Sequence, residues 1–246
     1  MHIDSWRKLY DKVSRKVLAK HRARHFESSL ICSLGDVDPS DFLIELMAKA
    51  IPIAWEEKIT GVNLHLQDSA YTNRFPGEHY RILKAITMVL NPKLIVEIGT
   101  YTGMGTKALM QGQSSGVVYT YDLLPWVSFA SHLNQIDFDS GRIIQKLGDL
   151  SDQNQFNQNF EILNQADIIF IDAPKDGVFE YRFLELLKKL GPKENRLLII
   201  DDIRFVNMID LWIDIESPKL DITSFGHWSG TGLVDVSNPL RMGSGN

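Results

Sequence analysis

From Leu94 onward the chain alternates short β-rich apolar runs with stretches of helical periodicity. The runs are "KLIVEIG", "VVYTYD", "RIIQKL", "DIIFID" and "RLLIID". Between them the spacing predicts helices near Gly103–Gln111, Trp126–Gln135, Asp152–Leu163, Phe179–Leu190 and Phe205–Ile215. Strands that are apolar throughout and separated by helices belong to βαβ units, with a parallel sheet covered on both faces. The texture then changes. "KLDITSFG" and "TGLVDVS" are two strand-like runs joined by a short glycine-containing loop, which predicts an antiparallel pair at the sheet edge. Ahead of the sheet, "DPSDFLIELMAKAI" predicts a helix capped by Ser40 or Asp41, and "PGEHYRILKAITMVL" predicts one from about Gly77 that stops before Pro92. Farther upstream, Trp6, Leu9, Tyr10, Val13 and Val17 recur at helical spacing among basic residues, the pattern of an amphipathic helix. The expected organisation is a helical N-terminal segment over 1–75, serving as a lid or a homodimer interface, an α/β core over 76–240 and a flexible tail over 241–246. The final "GSGN" reads equally as a cut made in a longer polypeptide.

Composition narrows the class. A length of 246 residues suits one α/β domain with an appendage, or two small domains. The single Cys32 excludes an internal disulfide framework and suits a reducing compartment. No apolar run is long enough to span a bilayer, and the N-terminus lacks the apolar stretch of a secretory signal. The expectation is a soluble, cytoplasmic protein without stable membrane insertion. Residues 1–24 hold eight basic residues against Asp4 and Asp11, a net +6, so the remainder must carry −11 of the total −5. An acidic body argues against nucleic-acid binding and suits a cation or a cationic ligand. The basic N-terminus suits docking on the body, on a second subunit, on a membrane surface or on an acidic partner.

The first βα turn carries the chemistry. "LIVEIGTYTGMGTKAL" runs from an apolar strand into Gly99, Gly103 and Gly105 before a helix begins. Glycines there permit unusual backbone angles and close approach of a ligand, and in open α/β sheets ligands bind beyond the carboxyl ends of the strands. A dinucleotide fold wants G-x-G-x-x-G and two phosphates on the helix N-terminus. The order here is G-x-x-x-G-x-G, and Glu97 places a carboxylate where a pyrophosphate would be repelled and a cation favoured. "VEIGTYTGMGT" resembles the first motif of class I S-adenosylmethionine-dependent methyltransferases, whose cofactor carries a sulfonium and an ammonium. The resemblance covers roughly Gly77 to Ser237. It implies a Rossmann-like α/β fold with a seven-stranded, mostly parallel sheet and an antiparallel edge strand. It also implies that Glu97, Gly99, Thr100, Tyr101, Gly103, Gly105 and Thr106 form the cofactor turn. Asp122 closes the second strand, where both nucleotide folds place an acid against ribose hydroxyls. Gly148 and Asp149 follow the third strand, where in this family the adenine amino group is contacted.

Asp172 ends the fourth strand with Lys175 three residues on, and Asp201 and Asp202 end the fifth. Neighbouring strands would bring three carboxylates together, a conflict that a divalent cation such as Mg²⁺ or Mn²⁺ removes. The set resembles the metal-dependent O-methyltransferases of the catechol O-methyltransferase type, where an aspartate and a lysine after the fourth strand join an Asp-Asn pair after the fifth. Asp172, Lys175 and Asp201 match, whereas Asp202 stands where that pattern has Asn and makes the site one charge more acidic. The resemblance implies Asp172, Asp201 and Asp202 as metal ligands, Asp172 also beside the cofactor, and Lys175 as the base that accepts a hydroxyl proton. His79 is the competing base in a metal-independent alternative. A binding protein that kept the cofactor fold without catalysis is a further alternative. Trp228, in "FGHWSGTG", would either line an acceptor pocket or anchor the core. That stretch and "RFPGEHYRIL" resemble small methyltransferases acting on natural products and their sugars. The expected acceptor is a hydroxyl of a small molecule, free or presented by a carrier protein.

Overall fold

The computed structural model describes residues 37–66, 69, 78–113, 115–205, 207–226 and 228–243. The basic amphipathic stretch, Cys32, Arg74–Gly77 and the last three residues lie outside the described residues.

Five apolar runs form parallel strands: β1 (Leu94–Ile98), β2 (Val117–Asp122), β3 (Ile143–Leu147), β4 (Ile168–Ile171) and β5 (Leu197–Asp201). With β6 (Lys219–Asp221) and β7 (Thr231–Asp235) they make a seven-stranded sheet in the order β3-β2-β1-β4-β5-β7-β6. The expected antiparallel pair is β6–β7, and β7 is the strand that runs against β5 and β6, inserted between them. The sequence order reverses between β1 and β4, where a crevice opens in such sheets. The register sets Ile98 beside both Tyr121 and Ile171, and Ile171 beside Ile200. The carboxyl ends of these strands therefore form one rim.

Helices cover both faces. On one side α1 (Asp41–Glu56), α2 (Tyr80–Leu90) and α3 (Met104–Gln111) pack over Ile95, Val118, Phe170 and Ile199. On the other, α5 (Gln153–Gln158), α6 (Phe160–Gln165), α7 (Val178–Leu187) and α8 (Met208–Asp214) pack over Val96, Ile169, Leu198 and Ile200. A short α4 (Gln135–Asp139) precedes β3. Each fully buried Leu or Ile contributes about 1.5–3 kcal/mol relative to exposure, which is why near-continuous apolar strands need a helical layer on each side.

Some predicted helices differ. Over Trp126–Gln135 there is one 3₁₀ turn at Trp126–Ser128, and α4 begins only at Gln135. A side-chain cap and two bonds to a distant carbonyl win there over helical periodicity. The Asn134 side chain caps α4, while the Ser131 hydroxyl and the His132 N–H both donate to Thr102 O, at 3.0 and 2.8 Å. These tie the loop to the glycine turn. The helix expected over Asp152–Leu163 breaks at Asn159, whose side-chain oxygen accepts from Tyr121 Oη and Lys146 Nζ. Ser40 stands at the N-cap of α1, yet its hydroxyl donates to Asp235 at 2.6 Å. α1 packs on α2 within the core, so it belongs to the body rather than to a separate segment ending at residue 75. Among the described residues no helix is long and apolar enough to cross a membrane.

Candidate functional site at the strand tips

β1 leaves the sheet at Gly99, whose φ of +106° is a conformation that side chains rarely adopt. A Cβ there would lie 1.9 Å from Asp172 O, so the absence of a side chain is what lets the tips of β1 and β4 close on one another. Tyr101 follows with φ 39°, and its N–H donates to Asp122 Oδ2 at 2.9 Å, which fastens the turn to the end of β2. Asp122 Oδ1 also accepts from Leu124 N, so its carboxylate is fixed by two backbone donors.

Beyond the tips of β1 to β4 lies a cavity of about 380 Å³, within the size range of small-molecule and cofactor sites. Gly99, Tyr101, Asp122, Gly148, Asp149 and Asp172 of the predicted cofactor set line it. Ile98, Tyr121 and Phe179 supply apolar wall, and Asp176 and Arg182 stand on the α7 side. Asp149 Oδ1 is engaged by the Ser151 N–H and hydroxyl.

Five predicted residues do not line the cavity, and each has a different employment. Thr100 is buried, with its hydroxyl 2.7 Å from that of Thr120. Gly103 caps α3, and its Cβ position is filled by Leu133. Thr106 is buried and donates to Glu97 Oε2. Gly105 makes room for protein rather than ligand: a Cβ there would meet Glu97 Oε1 at 2.5 Å. Glu97 itself is the main correction. It is 0% exposed, points under the turn, and its Oε1 accepts no hydrogen bond among the described residues. Burial foremost pushes its carboxyl up to about 8, against the hydrogen bonds of Thr106 and Thr120 that draw it down. A buried acid that favours its neutral form does not face a ligand's positive charge.

The second feature is the predicted acid cluster, which the pairing of β4 with β5 brings together. Lys175 Nζ lies 2.6 Å from Asp172 Oδ1, 3.0 Å from Asp202 Oδ2 and 3.7 Å from Asp201 Oδ2. Burial alone would lower the lysine pKa, but Asp172 and Asp201, with Asp202 behind them, outweigh it and hold the ammonium above the usual lysine range. The depressed pKa that a base requires is therefore not what this arrangement provides. Burial, and then the charge of Asp201, push Asp172 upward.

His79, expected only as a rival base, proves to be part of the cluster. Its Nδ1 lies 3.2 Å from Asp201 Oδ1, both side chains being almost fully buried. One ligand atom each from His79, Asp172 and Asp201 lie within 4.8 Å of one another. Asp202, expected as the third ligand, instead has Oδ1 taken by the Ser229 hydroxyl and Oδ2 by Lys175. Its φ of 57° turns the backbone out of line with β5. Glu180 was not singled out from the sequence. Its buried carboxylate accepts from Lys175 N at 2.8 Å and Gly177 N at 3.0 Å, holding the left-handed turn at Lys175. The signal was partial: Glu three residues after Gly177 is the half of a capping box in which the acid bonds back to the N-cap N–H. Trp228 is 73% exposed and meets Phe205 edge-on at 6.4 Å, so it does not anchor the core.

No family model matches the chain, and no curated protein matches it. Solved structures resemble the chain at low identity and low TM-score. A SAH-bound methyltransferase from Podospora anserina is 16% identical, with 94% of this chain and 95% of that one covered at a TM-score of 0.47. An O-methyltransferase from Bacillus cereus in complex with SAH is 18% identical, with 87% and 97% covered at 0.44. The O-methyltransferase TomG from Streptomyces achromogenes, in complex with SAM, is 18% identical, with 89% and 95% covered at 0.45. The chain's own strand order, with five parallel strands and β7 inserted antiparallel between β5 and β6, is Rossmann-like.

Proposed function

We propose that the chain transfers a methyl group from S-adenosylmethionine to a hydroxyl oxygen of a small molecule. The observation that carries this reading is the position of Asp172, which is at once a wall of the strand-tip cavity and a member of the acid–histidine cluster. A donor bound in the cavity would end beside the cluster, where an acceptor would be held.

The donor set fits the cofactor. Asp122 offers fixed carboxylate oxygens to ribose hydroxyls at the end of β2, and Asp149 an exposed acid to an exocyclic amine. Ile98 and Phe179 provide apolar surface, and the Asp172 carboxyl would face the sulfonium. A divalent ion fits as well: Asp201 Oδ1 is a buried oxygen that, among the described residues, accepts no hydrogen bond, and His79 and Asp172 add a nitrogen and an oxygen close by. His79, Asp172 and Asp201 would hold Mg²⁺ or Mn²⁺, which supplies a lowered hydroxyl pKa when bound. In the transfer a C–O bond forms and the C–S bond breaks, with its electron pair left on a now neutral sulfur. The hydroxyl proton passes to the chain. Lys175 serves as its acceptor only once the charge of the surrounding carboxylates is taken up elsewhere. His79 acting directly as the base is less favoured, because its ring is buried against Tyr80 and Phe170 and does not line the cavity.

Natural products and sugars with adjacent hydroxyls suit such a site, and presentation on an acidic carrier would use the basic residues 1–24. The deciding experiment is calorimetry with S-adenosylhomocysteine, followed by transfer of labelled methyl to a panel of catechols, polyketides and sugars. Binding of NAD in place of S-adenosylhomocysteine would sink the reading. Binding of S-adenosylhomocysteine without turnover of any hydroxylated acceptor would favour a cofactor-binding protein.

A further inference from the structure

Lys175 does not stand beside the acid cluster but inside it, with its ammonium against all three carboxylates. Asp172 and Asp201 are also two of the three residues that converge as ligands with His79. The same two carboxyl groups thus face an internal monovalent cation and the proposed divalent one. The lysine does not reach every oxygen of the cluster: Asp201 Oδ1 faces His79 Nδ1 at 3.2 Å and, among the described residues, accepts no hydrogen bond. Nor can the backbone carry the lysine away. Glu180 accepts from the N–H groups of Lys175 and Gly177 and pins the turn. The side chain is 24% exposed, so rotation about its own bonds is the way out.

We propose that Lys175 is a built-in competitor for the metal. Its ammonium and a divalent ion take turns on the carboxylates of Asp172 and Asp201, and the lysine thereby sets how tightly the site binds metal. Two cations on the same pair of carboxyl groups repel one another, and in a partly buried site that repulsion is screened far less than in water. Displacement is reciprocal: whatever the lysine takes from metal affinity, the metal returns by driving the lysine outward. The proposal rests on reading the cluster as a cation site.

The test is Mn²⁺ titration of the full chain, followed by the electron paramagnetic resonance of the free ion. Lys175→Met keeps the length of the side chain and removes its charge, and should bind Mn²⁺ roughly ten- to a hundredfold more tightly than the parent. Lys175→Arg should bind no more tightly than the parent. Equal affinity of the parent and Lys175→Met, or no binding by either, overturns the proposal. Where Lys175→Met fails to fold, labelling of Lys175 in the parent by an amine reagent, read by peptide mass spectrometry, should rise several-fold with Mn²⁺. Unchanged labelling overturns the proposal equally. S-adenosylhomocysteine calorimetry on the same samples reports on the methyltransferase reading separately, so the two can fail independently.

Discussion

Glu97 offers a quantitative test of how this site is built. It is fully buried between β2 and β4, and its carboxyl is raised from 4.5 to about 8, chiefly by burial. Between those two values the folded chain holds a proton that the unfolded chain has released, so stability falls as pH rises. The contribution is present in full below about pH 4.5 and is lost as pH passes through about 8. At about 1.4 kcal/mol per pH unit, the ceiling is about 5 kcal/mol. Glu97→Gln keeps the size and an acceptor for the Thr106 hydroxyl but has no proton to lose. Urea unfolding at pH 6 and pH 8, followed by tryptophan fluorescence, gives the double difference between parent and variant. All other titrating groups are shared and cancel, apart from weak coupling to Asp172 and Asp122. The parent should lose about 2 kcal/mol more than Glu97→Gln across that interval. Equal pH slopes would refute the reasoning. They would mean that the carboxylate is ionised in the fold, and would restore Glu97 as a charge able to face a cationic cofactor.

Other expectations are more direct. Asp122→Ala removes a carboxylate held by Tyr101 N and Leu124 N, and should weaken S-adenosylhomocysteine binding about ten- to a hundredfold by calorimetry. Gly99→Ala would place a Cβ 1.9 Å from Asp172 O at φ +106°, and should cost about 3 kcal/mol or more in thermal unfolding. Chelation should abolish methyl transfer, Mg²⁺ or Mn²⁺ should restore it, and Asp201→Asn should resist restoration. Full turnover in excess chelator would exclude the ion from the reaction.

Glu180→Gln should loosen the turn at Lys175 by about 1 kcal/mol, seen as faster amide exchange at Lys175 and Gly177.

The strands were legible because a parallel sheet buried on both faces leaves an apolar run that few other structures produce. β2 coincides with "VVYTYD", and β1, β3, β4 and β5 all fall inside their predicted runs. The helices were less legible where a side chain had a better local partner than the helix. Ser131 and His132 bond to Thr102, and Asn159 to Tyr121, and neither bond has a periodicity to reveal it.

The site shows where sequence reading stops for a physical reason. Asp122, Asp149, Asp172 and Asp201 stand at a strand's last position or just beyond it, where a position in the sequence already implies a place at the sheet's carboxyl edge. Glu97 lies one residue before the end of β1, opposite Thr120 and Phe170, and both faces of that strand are covered. Alternation along β1 puts its side chain on the face of Ile95, under α3, and no reading of residue type can lift it to the rim. His79 is the converse. The sequence marks it only as a rival base, and it reaches Asp201 because α2 packs across the sheet face beside Phe170. A ligand set drawn from one loop can be read from spacing, whereas one completed by a packed helix needs the fold. A His79→Ala variant separates the two roles open to that residue. It should weaken Mn²⁺ binding while leaving S-adenosylhomocysteine affinity intact, since His79 does not line the cavity. Loss of both together would mean that it only holds β5 and α2 in place.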